Sequence, residues 1–297
     1  LRRRLSRIER QSSEPVKAGP NPTRIMERVE FDGTWLDLIV VDEGDRLPIG
    51  RPWFSYALDK YSGYPLGFYV GFEPPSYKTT MSCALHAFSL KADVRQLYGT
   101  KKHWFARGLP ELAVIDNGKE YVNRHLQAAF GMLGILLDQC PVRTPWLKAS
   151  VERYIKTQNT SLIHMLPGST FSNVIDRGDY SSEQYACISV TGLIQMLHIF
   201  LLDYYAQRWN KGVNGIPERL WCKSEQEGYI PSFPSSLEEL KILLFWNDTR
   251  TLQRHGIEYE TIVYQSNDNI RLRQLLRGDE RKVEIRVNPD ELSSIFV

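Results

Sequence analysis

Three consecutive stretches, VEFDGTWLDLIVVD (29–42), WFSYALDKYSG (53–63) and YPLGFYVGF (64–72), decide the fold. Each is rich in β-branched and aromatic residues and is bounded by turn formers, which predicts three strands. The first turn is EGDRLPIGRP (43–52) and the second is Tyr61-Ser62-Gly63. Strands that follow one another through short turns pair antiparallel.

Working outward, the periodicity changes after Pro74-Pro75. Residues Tyr77 to Tyr98 read as one or two helices, Glu111 to Ile115 as a short apolar strand, and Glu120 to Leu133 as an amphipathic helix. Ile135 to Asp138 reads as another strand. Thr144-Pro145 opens a helix, with Thr as its cap and Pro in its first position, and Pro167-Gly168 ends it near Leu166. The order β-β-β-α-β-α-β-α is that of the ribonuclease H fold: an α/β unit with a mixed five-stranded sheet flanked by helices. Its strand order, 3-2-1-4-5, makes the strands bearing Asp32 and Asp116 neighbours.

Further on, Ile188 to Trp209 reads as a strong helix and Leu237 to Trp246 as a short one. Strands at Gly256 to Tyr264 and Lys282 to Val287, with turns at Gly278-Asp279 and Asn288-Pro289, suggest a small C-terminal β-barrel. The expected domains are a basic N-terminal helix and linker (1–27), a catalytic domain with a helical extension (28–215), and a linker with the barrel (216–297). Leu1 is not Met, and the chain stops on Ile295-Phe296-Val297, so further domains are expected beyond both ends.

Hydrophobic residues make up 42% and charged residues 24% of the 297, an ordinary globular composition. No apolar run is long enough to span a bilayer, so a cytoplasmic location is expected. The four cysteines form no CxxC pair and read as buried free thiols rather than a zinc site. Net charge is only +2, but LRRRLSRIER (1–10), with Lys17, Arg24 and Arg28, forms a basic arm able to neutralise phosphates. His86, His125 and His198 have apolar neighbours and call for no chemistry. Trp104, Trp146 and Trp221 read as packing residues.

Three carboxylates stand out. Asp32 lies inside an apolar strand, where a buried carboxylate is costly unless something positive meets it. Asp116 ends the Leu112–Ile115 run and precedes Asn117-Gly118, a turn sequence that would also account for it. Such a carboxyl end of a strand is, however, where open α/β sheets build sites. Glu152 lies two turns into the helix opened by Thr144-Pro145, beside the apolar stripe of Leu147, Val151, Tyr154, Ile155 and Leu162. With Lys148 and Lys156 at helical spacing, an ordinary ion-paired surface is its plain alternative. Three converging carboxylates repel one another, and divalent metal relieves that repulsion. Two ions about 3.5–4 Å apart can serve an in-line displacement at phosphorus. All-oxygen ligands suit Mg²⁺ or Mn²⁺ rather than zinc.

EFDGT around Asp32, VIDNGKEY around Asp116 and WLKASVERYIKTQN around Glu152 resemble the Asp-Asp-Glu transposases of the retroviral-integrase superfamily. Thirty-five residues separate Asp116 from Glu152, the spacing typical of that superfamily. DRLPIGRPW, YSGYPLGFYVGFEPPSY, PVRTPWLKASVER and LPGSTFSN narrow the resemblance to the TnsB/TniA family, the DNA-joining subunits of heteromeric bacterial transposons, over about residues 28–297. The resemblance implies that Asp32, Asp116 and Glu152 ligate two metal ions, Mg²⁺ or Mn²⁺. Asn117 and Gly118 would shape the turn beside the site, and Arg143, Lys148, Arg153 and Lys156 would contact DNA. Implied partners are transposon-end and target DNA, further copies of the chain assembled on them, an ATPase regulator and a second nuclease subunit. The implied reaction is cleavage at transposon 3′ ends and transfer of the 3′-hydroxyls to target DNA. Gly33 departs from the family, which often has a polar residue such as His after the first Asp.

Two other functions fit the same fold. A structure-specific nuclease would stop after hydrolysis, and an inactive relative would only hold DNA. Retention of all three carboxylates argues against the second.

Overall fold

The computed structural model describes residues 21–115, 124–139, 162–170, 181–234, 236–276, 281–288 and 291–297. Its centre is a five-stranded sheet. The first strand, β1 (Arg28–Trp35), is followed by a two-strand ribbon, β2 (Val40–Val41) and β3 (Pro48–Gly50), and then by β4 (Trp53–Asp59) and β5 (Pro65–Gly71). β6 (Leu112–Ile115) and β7 (Leu136–Gln139) complete the sheet. Its order is β5-β4-β1-β6-β7, antiparallel on the β4 side of β1 and parallel on the β6 side. This is the expected 3-2-1-4-5 order, and the unit is ribonuclease H-like.

The long first strand expected over 29–42 is interrupted. After Trp35 the chain leaves the sheet, and Val40 and Val41 pair instead with Gly50 and Pro48. The reason lies in Asp37 and Ile39, whose backbone groups bond Thr170 and Gly168 rather than a sheet neighbour.

Helix α1 (Tyr77–Phe88) starts where Pro74-Pro75 ends, with Ser76 and Thr79 forming a reciprocal capping box. At its other end Lys91 Nζ donates to the carbonyls of Ala87 and Ser89. A short helix, α2 (Val94–Tyr98), follows, so the 77–98 stretch holds two helices. Phe31 of β1 meets Phe88 of α1 and Phe130 of α3 (Arg124–Met132), each at 6.1 Å between ring centroids. Gly67 of β5 permits the approach of α1: a Cβ there would lie 2.5 Å from Ala87 N.

Glu30, on the other face of β1, is 2% exposed and lies 3.2 Å from Arg28 and 3.1 Å from Lys60. Neither approach meets hydrogen-bond geometry, so the pairing is ionic rather than directed. Arg24 pairs with Glu111 at 2.8 Å. Both Arg24 and Arg28, read from sequence with the basic arm, are thus engaged within the fold.

After α4 (Ser182–Tyr185), helix α5 (Val190–Ile199) is capped by Ser189. The helix expected to Trp209 runs without interruption to Gln207 but changes its winding. The chain passes through a π-helical turn at Phe200–Tyr204 and a 3-10 turn at Tyr205–Gln207. Helices α6 (Pro217–Gln226) and α7 (Leu237–Leu244) contribute Trp221, Leu240 and Leu244 to the main core.

Trp246, expected to end a helix, instead opens β8 (Trp246–Thr251). β9 (Ile257–Tyr259) and β10 (Ile262–Tyr264) form a hairpin, then helix α8 (Asn267–Leu275) leads to β11 (Lys282–Asn288) and β12 (Glu291–Phe296). Where a small barrel is expected, the described residues form two small sheets, the three-stranded β12-β11-β8 and the β9–β10 hairpin. Both share a small core of Leu252, Ile257, Ile285 and Val287. This unit docks on the main core through Trp246, which meets Tyr77 edge-on at 5.1 Å and His125 at 4.5 Å.

Cys83 is buried as expected, but Cys187 is exposed and Cys222 half-buried; these three are free thiols. Trp104 and Trp221 are buried packing residues, while Cys140 and Trp146 lie outside the described residues. Among the described residues, no helix is long and apolar enough to cross a membrane.

Candidate active site

Asp32 sits in the central strand, partly exposed, where β1 leaves the buried part of the sheet. Its Oδ1 accepts the backbone N–H of Gly33 at 2.9 Å. Directly across the antiparallel pair stands Tyr56. Its hydroxyl reaches within 3.5 Å of Asp32 Oδ2. Tyr56 is 1% exposed and stacks on Phe54 at 5.3 Å, so its phenol has little freedom to move. Sequence reading did not single out Tyr56. Only the β1–β4 register identifies it, since alternation alone does not say which residue stands opposite Asp32.

On the other side of β1, the parallel strand β6 is buried and ends at Ile115. Its register sets Val29 opposite Ala113 and Glu30 opposite Val114. Asp116, Asn117, Gly118, Arg143, Lys148, Glu152, Arg153 and Lys156 all lie outside the described residues. Asp32 is therefore the one expected metal ligand whose surroundings can be given. It offers a partly exposed carboxylate with one oxygen aimed by a phenol, a hard oxygen donor that fits Mg²⁺ or Mn²⁺. Among the described residues, no group of three or more His, Cys, Asp or Glu could hold a metal ion.

The segment 162–170, which follows the stretch bearing Glu152, is fastened to the chain just beyond Asp32. Ile39 N–H donates to Gly168 O at 2.9 Å and Thr170 N–H to Asp37 O at 2.8 Å. The Asp37 carboxylate meets Arg51 at 2.6 Å and His164 Nε2 at 3.4 Å. Gly168 has φ +87°, and a Cβ there would lie 2.9 Å from both Ile39 O and Ala186 Cα. Glycine is thus demanded twice, by conformation and by space. Pro167-Gly168, read from sequence as a helix stop, is also the clasp that ties this segment to β1. Of the helix expected to reach Leu166, the described residues hold a 3-10 turn at Ile163–Met165, and the rest lies outside them.

Residues 30–168 match the family model described as TnsB C-terminal domain, and residues 241–297 match that of Mu transposase, C-terminal. The chain is 27% identical over 283 residues to the transposase for transposon Tn552 of Staphylococcus aureus, covering 95% of this chain and 53% of that protein. It is 24% identical over 289 residues to the transposon Tn7 transposition protein TnsB of Escherichia coli, covering 91% and 41%. The chain thus spans about half the length of the curated relatives it matches. Among solved structures, it is similar to the catalytic core domain of BIV integrase, with TM-score 0.39, 15% identity and coverage of 69% and 99%. It is also similar to the HTLV-2 integrase catalytic core domain in complex with magnesium, with TM-score 0.38, 12% identity and coverage of 67% and 97%. Residues 30–168 are thus similar to a TnsB C-terminal domain and residues 241–297 to a Mu transposase C-terminal domain, so that the chain resembles the TnsB-type transposases over both stretches.

Proposed function

We propose that this chain is the catalytic core of a cut-and-join DNA transposase, with Asp32, Asp116 and Glu152 as its metal ligands. The observation that carries this reading is the parallel register of β1 and β6. Glu30 stands opposite Val114, and two residues further along the sequence from each come Asp32 and Asp116. The clasp between residues 37–39 and 168–170 supports the third member, because it returns the chain after Glu152 to the end of β1. Relatives named as transposases over nearly the whole chain support the reaction class.

In this reading the three carboxylates hold two Mg²⁺ or Mn²⁺ ions, which supply an activated attacking oxygen and a stabilised leaving oxygen. The protein's part is to keep its ligands in place and to align the DNA. Water first attacks the phosphodiester at a transposon 3′ end, breaking the P–O3′ bond and leaving a 3′-hydroxyl. That hydroxyl then attacks a target phosphodiester, forming a new P–O bond and releasing a target 3′-hydroxyl. Asn117 and Gly118 shape the turn at the second ligand, and Arg143, Lys148, Arg153 and Lys156 contact the DNA backbone. The proposed organisation is an arm (1–27), a catalytic domain with its helical extension (28–215) and a C-terminal domain (216–297). Proposed partners are transposon-end and target DNA, other copies of the chain on the paired ends, an ATPase regulator and a second nuclease subunit.

Strand-transfer assays with pre-cut ends test the proposal. Asp32→Asn, Asp116→Asn and Glu152→Gln should each lower joining by orders of magnitude while leaving the melting temperature near that of the parent. Substantial Mg²⁺-dependent joining by any of the three would remove that residue from the site. Hydrolysis without joining by the unmodified chain would favour a nuclease.

A further inference from the structure

The π-helical turn within the expected 188–209 helix builds a surface of its own. In the π-helical stretch Phe200–Tyr204, the Asp203 carboxylate accepts the backbone N–H groups of Lys101, at 2.8 and 3.0 Å, and of Lys102, at 2.9 Å. π-helical turns often occur at functional sites. Here the carboxylate is committed to backbone donors, and the side chains of both lysines stay exposed beside it. Lys102 meets Glu218 at 3.3 Å. Among the described residues, Lys101, Arg208 and Lys211 meet no carboxylate within ion-pair distance, and all three are exposed.

Aromatic groups lie among these cations. The Arg208 guanidinium lies over the Tyr204 ring at 3.9 Å, and Tyr204 stacks on Phe200 at 5.3 Å. Trp209, next along the chain, is 62% exposed. The turn bearing Lys211 is fixed by Asn210, which bonds Gly215 through its backbone and the Tyr205 hydroxyl through its side chain. Asp203 and Glu218 lie on this surface, but Asp203 is spent on backbone donors and Glu218 on Lys102 and Gln207, which leaves Arg208 and Lys211, on either side of the exposed Trp209, and Lys101 outside these pairs.

We propose that Lys101, Arg208, Trp209 and Lys211 form a contact surface for the DNA sugar-phosphate backbone. The inference rests on the transposase reading for the presence of DNA, but not on the triad. Cations left out of ion pairs suit phosphates, and a planar guanidinium backed by a ring, beside an indole, suits sugars and exposed bases. An acidic protein segment would use the cations but has no particular need of the Arg–Tyr stack.

The test is binding of a labelled random-sequence duplex to the Asp32→Asn chain without divalent metal, across a series of salt concentrations. Using this variant keeps the outcome independent of catalysis. Lys101→Ala with Lys211→Ala should reduce the slope of log affinity against log salt by about two, and Arg208→Ala by about one. Trp209→Ala should weaken binding with the slope unchanged. Unchanged slopes in the cationic variants, or no duplex binding by the parent, would overturn the proposal. So would undiminished duplex binding combined with lost binding to a polyglutamate peptide, which would assign the surface to an acidic protein. Failure of the triad variants to lose joining would leave this measurement unaffected, so the two readings fail separately.

Discussion

The Tyr56 hydroxyl lies 3.5 Å from Oδ2 of Asp32, straight across the antiparallel β1–β4 pair. The other carboxylate oxygen is held by the Gly33 N–H at 2.9 Å, so both oxygens have a partner that limits rotation. At 3.5 Å the phenol contact is long, as hydrogen bonds around unliganded sites often are before substrate or metal draws them in. Groups that orient a metal-binding carboxylate typically matter 10–100-fold when removed. Tyr56→Phe should therefore weaken Mn²⁺ binding about tenfold and raise the Mg²⁺ concentration for half-maximal joining by a similar factor. Titration of Mn²⁺ by electron paramagnetic resonance, with thermal unfolding as a control, checks this. Unchanged Mn²⁺ affinity would reduce Tyr56 to a packing residue.

Gly67→Ala tests the contact between β5 and α1. The added methyl would fall 2.5 Å from Ala87 N, 2.6 Å from Ala87 Cα and 2.9 Å from the carbonyl carbon of His86. All three are backbone atoms, so a rotamer change offers no relief. Overpacking of this kind costs about 1–3 kcal/mol or more. Denaturant unfolding should show at least that loss, while Gly131→Ala, with nothing within 4 Å, should be neutral or slightly stabilising.

Asp59 carries an opposite lesson about buried carboxylates. It is fully buried at the end of β4, where Oδ1 accepts Met26 N–H at 2.9 Å and Oδ2 accepts Ser62 N–H at 2.8 Å and the Ser62 hydroxyl at 2.5 Å. Desolvation outweighs these bonds and raises its pKa from 3.8 to about 6. The folded state thus holds the proton more tightly than the unfolded state. The resulting stabilisation is complete below about pH 4 and is lost as pH rises through about 6. In Asp59→Asn the amide cannot accept from Ser62 N–H while its oxygen faces Met26, a cost of about 1–3 kcal/mol. Urea unfolding should show the stability gap between parent and variant narrowing from pH 4 to pH 7. A gap that does not change with pH would rule out this titration.

The sheet was legible because β4 and β5 are short, apolar and bounded by clear turn residues, and because three strands in succession leave few pairings. Where the chain departs from that reading, a distant partner decides. Nothing local in Leu36–Ile39 ends a strand; its backbone is claimed by Gly168 and Thr170, more than a hundred residues later. Likewise, LIQMLHIFLLDYYAQRW keeps helical spacing, and the change to π-helical winding at Phe200–Tyr204 accompanies Asp203 binding the 101–102 backbone. The strands and helix after Leu244 are half-exposed, and their alternation is weak, so β8, α8 and β12 escaped notice. Of the site, Asp32 could be read from its motif. Tyr56 could not, because a tyrosine in an apolar strand looks like any other until the register is known.

His86 and His198 should set the acid limit of stability. His86 is half-buried behind β5, its Nδ1 about 3 Å from the backbone N and O of Phe68. His198 lies on Tyr98 at 3.7 Å and meets Phe68 and Trp104 edge-on. Burial lowers the His86 pKa from 6.5 to about 3, helped by the nearby charge of Lys91, and lowers that of His198 to about 4. Both histidines are therefore neutral in the fold at pH values where the unfolded chain already binds protons. Stability from this source is complete above about pH 6.5 and falls as pH drops toward 4, on the order of 3 kcal/mol for each histidine. This trend runs against that of Asp59 and exceeds it, since two groups oppose one. The parent should thus lose stability steadily between pH 6.5 and 4. His198→Phe keeps the ring stack and removes the titration, at a cost of about 1 kcal/mol for the lost Nδ1 contact with Ile194 O at 2.8 Å. The variant should be the less stable protein at pH 7.5 and the less pH-sensitive one below 6.5, so that the two stability curves cross or converge near pH 5. Parallel curves over the whole range would show that His198 takes up its proton without disturbing the core.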